Sequence, residues 1–353
     1  PQQMNLPLNG FDYLFTSSSR GYIKKEQKAA VIAAVQAAVH NGDYFSYVVE
    51  TTKKRVAEFA ACVEECLRRL ENPQYTLADV WEYFDPHFRQ FALWYYIPWY
   101  LTEENIISDR VKIGLKKYRD LITPITDMNN AHMVLMFPVQ EVVLQKEQQD
   151  FFVMVEYALA HIDYLHDQKF ITMATVYLAH YAWMKTYVVL PIEPLSYDEL
   201  LMRVADARSG EALTEYRRVQ NTKSKNALLA ARLRDLFMDD TDLLHAIDDA
   251  RTLAWLLTWS VEDSLYSFSR LIPMYKKIAA ALNVPYCDWV YLTSQEIIRM
   301  LRGEQKLVTR DDVVDRKKGF VFLSEHGKTT LYSGEDGKKL ADWIDATVGA
   351  ITP

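Results

Sequence analysis

Residues 241–282 read TDLLHAIDDARTLAWLLTWSVEDSLYSFSRLIPMYKKIAAAL, a run with no glycine and one proline, Pro273. A stretch of this length without turn residues exceeds any ordinary strand and reads as a long helix, broken near Pro273, where the ring removes a backbone donor. Asn283-Val284-Pro285 then turns the chain. The same pattern extends upstream. Residues 222–238 form another helix. Ser196, with Glu199 three positions on, is a capping box that starts a helix. Residues 139–167 read as one long helix and 170–188 as a second, closed by Pro191 and Pro194. Nearer the start, the helix from Tyr44 to Leu70 ends at Asn72-Pro73, and Thr76 caps the next, with Asp79 in its first turn.

Glycine is scarce, 11 in 353 residues, and glycine weakens helix interiors, so its scarcity favours helices over the phosphate loops and tight turns of parallel α/β enzymes. The expected fold is therefore mostly α, a multi-helix bundle-like domain. The character changes after Pro285. Trp289 to Leu292 looks extended, and Thr293 with Glu296 forms a second capping box for a helix to Arg302. Gly319–Leu323 and Thr329–Tyr332 are strand-like runs about the turn Glu325-His326-Gly327-Lys328, a small C-terminal β-hairpin, and residues 338–348 form a last helix. The organisation expected is an irregular N-terminal arm over 1–22, helical regions over 23–138 and 139–284, and a small α+β element over 285–353. The arm reading rests on Pro7, Gly10, Ser17 to Ser19 and Gly21. The run Ala29, Ala30, Ala33, Ala34, Ala37 and Ala38 has helical spacing and ends at Asn41-Gly42.

Composition narrows the function. With 50% hydrophobic and 25% charged residues the chain is that of a folded globular protein. The net charge of −7, with no basic stripe, argues against a nucleic-acid partner. No apolar stretch approaches the ~20 residues needed to span a bilayer, and no basic-then-apolar leader opens the chain, so a cytoplasmic location without a membrane partner is expected. Three cysteines, Cys62, Cys66 and Cys287, do not make a disulfide framework. Cys62 and Cys66 read as two small buried thiols, since a zinc site needs further ligands.

Phosphate-loop, dinucleotide-loop, zincin and serine-elbow signatures are missing, as are the Glu-x-x-His pairs of helical di-metal sites. Glu156, His161, Asp163 and His166 come nearest to a metal cluster. His161 and His166, five apart, diverge by about 140° on a helix and do not converge on one ion. No metal site is expected. The densest aromatic stretch runs from Phe88 to Tyr100 and includes Trp94, Tyr95, Trp99 and Tyr100, with Pro98 set to kink or end its helix. Such a stretch is either core or the lining of an apolar ligand pocket. Glu103, Glu104 and Asp109 stand at its mouth or at a solvated helix start.

Two segments resemble the helical domain of the PEP synthase, pyruvate phosphate dikinase and rifampicin phosphotransferase family. One is Leu178 to Trp183 with Tyr187 and Tyr197. The more specific is Asp288-Trp289-Val290-Tyr291-Leu292-Thr293-Ser294-Gln295-Glu296-Ile297, continued by Arg316, the hairpin and Tyr332. The resemblance spans about residues 140–345. It implies a helical acceptor-binding or docking component, a non-catalytic part of a phosphotransferase. ATP and magnesium are then bound by an ATP-grasp partner, and a swivelling partner domain carries the phosphorylated histidine. None of the eight histidines here sits in a glycine- and threonine-rich phosphohistidine motif, and the chain ends at Pro353, about where the swivelling domain begins. The chain itself is expected to bind no cofactor. The acceptor pocket expected from aromatic density and the first segment comprises Trp94, Tyr95, Trp99, Tyr100 and Trp183, with His180 as a polar contact. The alternatives are a non-enzymatic helical interaction protein or, remotely, a bundle metalloenzyme.

Overall fold

The computed structural model describes residues 13–16, 21–23, 26, 29–30, 32–34, 44–103, 106–185, 193–208, 210–304, 308–325 and 328–349. His326 and Tyr187 lie outside them, as do Ala37 and Ala38 of the alanine-rich run, whose Ala29, Ala30, Ala33 and Ala34 are helical. The protein is mostly α-helical with a small antiparallel sheet. The helices are α1 (Tyr44–Glu71), α2 (Leu77–Glu103), α3 (Ile106–Lys116), α4 (Arg119–Ile122), α5 (Met128–Met136), α6 (Val143–Ala160), α7 (Gln168–Tyr181), α8 (Tyr197–Ala207), α9 (Glu211–Asp235), α10 (Thr241–Arg270), α11 (Ile272–Ala281), α12 (Ser294–Leu301), α13 (Arg310–Lys318) and α14 (Gly334–Gly349).

The spine is α10. Asp240 caps it, accepting from the Leu243 amide at 3.0 Å, and it ends at Leu271, with Pro273 in the first turn of α11 where its missing amide costs nothing. Leu243, Ala246, Ile247, Ala250, Leu253, Leu257 and Phe268 recur at helical spacing on one buried side. Burying each of the larger ones contributes roughly 2 kcal/mol.

Two cores are strung along this side. The first joins Tyr44 and Val48 of α1, Ile107, Val111 and Leu115 of α3, and Val134 and Leu135 of α5 to Leu233, Phe237 and the first half of α10. The second joins Phe59, Cys62 and Cys66 of α1, Trp81, Phe84 and Phe91 of α2 and the end of α10 to Met274 and Ile278 of α11, Ile297 of α12 and Val313 of α13. The expected divisions at 138/139 and 284/285 therefore do not separate cores. A helix of 30 residues spans about 45 Å, long enough to serve both. A third core, Phe151, Met154, Val155, Phe170, Tyr177, Leu200 and Val204, makes a lobe of α6, α7 and α8.

Several local expectations change. Residues 139–167 are not one helix: α6 stops at Ala160 and a 3-10 turn covers Tyr164–His166. Asp167 caps α7 through the Lys169 amide (2.7 Å) and accepts from the Tyr157 hydroxyl (2.8 Å), while Tyr164 packs edge-on against Phe170 at 4.7 Å. Residues 286–291 form a 3-10 helix rather than an extended run. The backbone of α2 stays helical past Pro98 to Glu103.

The hairpin forms as expected from β3 (Phe320–Glu325) and β4 (Lys328–Ser333). The arm, expected to be irregular, supplies two more strands, β1 (Tyr13–Thr16) and β2 (Gly21–Ile23). β1 pairs antiparallel with β3, Leu14 opposite Leu323, giving the sheet order β2-β1-β3-β4. The edge of β3 offers a row of backbone donors and acceptors that an apolar strand such as Tyr-Leu-Phe-Thr satisfies. Val321 of β3 packs on Ala341 and Ile344 of α14. The approach of α14 to the sheet is close. A methyl at Gly337 would lie 2.8 Å from the Tyr332 carbonyl oxygen and 2.9 Å from that of Gly319, backbone atoms that cannot swing aside. Gly337→Ala is expected to cost about 1–3 kcal/mol, the usual range for overpacking, and to lower amide protection in β3, β4 and α14 while leaving α10 unchanged.

Candidate functional site

A second face of α10 carries Trp255, Trp259, Glu262, Asp263, Tyr266 and Arg270, which fall within an arc of about 100°; Trp255 and Trp259 on it pack against the cores. The α6–α8 lobe docks on this side. Val142, at the start of α6, gives no side-chain cap; Glu262 supplies one from 118 and 119 residues away, accepting from the Leu144 and Val143 amides at 2.8 Å each. A carboxylate at that position satisfies orphan amides and complements the positive end of the helix. One turn on, Trp183 of the 3-10 segment Ala182–Lys185 meets Tyr266 edge-on, centroids 5.5 Å apart. Arg270 lies over the Tyr266 ring at 6.0 Å and pairs with Glu64 of α1. Trp255 and Trp259 are partly buried and stack at 5.3 Å and 15°.

Asp263 differs from its neighbours. It is half-buried and has no hydrogen bond or ion pair among the described residues, and burial pushes its carboxyl above the usual range. Half-buried charges are normally compensated. Asp263 thus stands as a half-buried carboxylate on the same helix face as Tyr266, which meets Trp183 at the seam between the lobe and the body.

The six residues expected from sequence meet mixed outcomes. The side chains of Trp94, Tyr95, Trp99 and Tyr100 lie outside the described residues. Their helix, α2, is anchored ahead of them by Phe88 against Phe268 (5.5 Å) and by Phe91 stacked on Phe59 (4.4 Å). His180 and Trp183 are adjacent: the Trp183 indole N–H donates to the His180 carbonyl at 2.7 Å. The His180 ring is exposed, its Nδ1 bonded to the Val176 carbonyl at 2.8 Å. Trp183 thus belongs to the seam, and His180 stands at its margin.

Other polar clusters are closed on themselves. Glu147, buried, accepts from the Tyr177 hydroxyl and from Arg203 at 3.1 Å, and Arg203 also lies over Phe151 at 4.7 Å. Burial, then the bond to Glu147, pushes the Tyr177 phenol upward. This network holds the lobe together. Glu156 pairs with Arg217 (2.8 Å) and His161 stacks on Tyr157 (4.0 Å), so the four polar residues of that stretch do not converge. Among the described residues no group of three or more His, Cys, Asp or Glu is placed to hold a metal, and no helix is long and apolar enough to cross a membrane. Cys62 and Cys66 are buried with sulfurs 4.0 Å apart. A cleft of ≈ 330 Å³ beside Leu70, Tyr75 and Lys277 contains none of the expected residues.

The residues of the second resemblance segment fasten the C-terminal element. Arg316, 8% exposed, makes two bonds to the Glu296 carboxylate (2.7 and 2.9 Å) and one to the Tyr291 carbonyl (2.6 Å). Glu296 also closes the capping box with Thr293. Asp288 pairs with Lys317 at 2.5 Å, and Trp289 stacks on Tyr275 at 4.4 Å. Comparison with protein-family models, curated proteins and solved structures finds no match to the chain.

Sequence reading missed Trp255, Trp259, Asp263 and Tyr266. Their 4, 4, 3 spacing was visible, but it coexists with a stronger apolar stripe on the other side of the same helix.

Proposed function

We propose that the chain is a helical acceptor-holding and docking module of a PEP-synthase-like phosphotransferase, without a nucleotide or phosphohistidine site of its own. The observation that supports it most is the 288–316 segment. The residues that resemble the family are also the ones that lock α12, α13 and the 3-10 helix together, as a shared fold element requires. Phosphoryl transfer depends mainly on positioning and electrostatics, so a module that presents an acceptor to a moving partner contributes without a catalytic group. In sedimentation with an ATP-grasp domain and a phosphohistidine domain of that family, the chain is expected to co-sediment with the phosphohistidine domain. Independent sedimentation of all three would contradict the reading.

A second reading, an interaction scaffold, draws on the end of the lobe. Ile162 there is 98% exposed, beside exposed Leu159 and Leu165. Apolar side chains grouped at a tip mark contact surfaces.

A further inference from the structure

The cleft between α1, α2 and α11 takes part in none of the polar networks described above. It forms where α1 ends at Glu71, a turn closed by the Tyr75 amide on the Asn72 carbonyl (3.1 Å) redirects the chain, α2 starts at Leu77, and α11 supplies the third side. Leu70, Leu77, Val80 and Ala280 give it apolar walls, and Tyr75 adds a ring over which Arg69 lies at 5.0 Å. Its ≈ 330 Å³ falls at the lower end of the range for small-molecule sites. One charged side chain lines it, Lys277. The neighbouring Lys276 pairs with Glu193 at 2.8 Å, whereas Lys277 meets no carboxylate among the described residues. Its ammonium makes a single bond, of 3.3 Å, to the Leu70 carbonyl, which holds it at the cleft with two of its three donors still available. Asp79, in the first turn of α2, is already used by the Thr76 amide (2.7 Å) and hydroxyl (2.8 Å), and Glu65 of α1 by Arg68 and Arg69 (2.7 Å each). A cationic ligand would be repelled by Lys277. A metal ion would find neither carboxylate nor thiolate in the lining. A dianion would bring a second charge that one ammonium cannot match between apolar walls. A monocarboxylate on a short apolar tail uses both features of the cleft. Its bond to the ammonium is charge-assisted, and its tail takes the walls out of water.

We propose that this cleft binds a small monocarboxylate with an apolar tail, the carboxylate paired to Lys277 and the tail lying against Leu77, Val80 and Ala280. The site is built by this chain alone and stands or falls separately from any phosphotransferase partner.

The test is calorimetric titration of the full chain with hexanoate and, as the neutral counterpart, hexanol. Hexanoate is expected to bind saturably and about tenfold more tightly than hexanol, which is what one hydrogen bond between charged groups contributes. In Lys277→Met the apolar stem remains and the charge is gone, so the two are expected to bind equally. Lys277 is exposed, so the melting temperature of that variant is expected to match that of the parent, which separates lost binding from lost fold. Ala280→Trp fills the cleft from an exposed position on α11 and is expected to abolish hexanoate binding while the melting temperature is retained. Failure of hexanoate to saturate, equal affinities in the parent, a preference that persists in Lys277→Met, or undiminished hexanoate affinity in Ala280→Trp would each overturn the proposal.

Discussion

Glu262→Ala is expected to loosen the α6–α8 lobe by about 3 kcal/mol. Each hydrogen bond from an amide to a carboxylate contributes roughly 1.5–3 kcal/mol, and two bonds sharing one carboxylate do not add fully. The loss is larger than for an ordinary helix cap because the acceptor is buried, at 6% exposure, and the Val143 and Leu144 amides then face the seam unpaired. Glu262→Gln keeps one good acceptor and is expected to lose about half as much. Hydrogen exchange checks this directly: protection falls in α6 and α7 and stays unchanged in α1 and α11, because the lobe has its own core and the spine has another. The Arg217–Glu156 pair and the stacking of Phe152 on Tyr216 (4.2 Å) still tether the lobe to α9, so local opening rather than detachment is the expected outcome.

Arg316→Ala is expected to cost about 3 kcal/mol in the C-terminal element. Removing one member of a buried pair strands the other, which is the expensive case. The Glu296 side chain is 20% exposed, and this keeps the figure at the low end of the range for such pairs. Arg316→Lys restores a charge but not the two-pronged contact or the bond to the Tyr291 carbonyl, and recovers part of the loss. The pair also sets a pH dependence. Burial alone would raise the Glu296 carboxyl, but the bonds from Arg316 and the Thr293 amide hold it below the ordinary range. A carboxyl with a depressed folded pKa contributes stability that is present above its unfolded value, about 4.3, and lost as pH falls through the folded value. Amide protection in α12 and α13 is therefore expected to drop below about pH 4 in the parent. In Arg316→Ala, already loosened at neutral pH, that acid step should be smaller.

What could be read from sequence was local. The break of the spine at Pro273 and the capping boxes at Ser196/Glu199 and Thr293/Glu296 form as expected, because each depends on residues within one turn. The hairpin does too. What escaped depends on distant partners. β1 is a strand because β3, from the other end of the chain, offers it an edge, while its own four residues run straight into Ser17-Ser18-Ser19, which read as irregular. Residues 286–291 carry the aromatics of a strand, yet the stacking of Trp289 on Tyr275 and the Pro285–Asp288 backbone bond wind them into a 3-10 helix. The cores likewise run across the expected helical regions, because one helix feeds two of them. At the candidate site, aromatic density pointed to α2, whereas the uncompensated carboxylate lies on α10. An unpaired Asp263 becomes visible only once Glu262 and Arg270 have found their partners.

We propose that this chain holds an acceptor for phosphoryl transfer performed by others. The most direct test is mass spectrometry after incubation with ATP and magnesium, with the chain alone and with ATP-grasp and phosphohistidine domains added. The expected result is no ATP turnover and no phosphorylation by the chain alone, with a small acceptor phosphorylated when the partners are present. Turnover or self-phosphorylation by the chain alone would contradict the account.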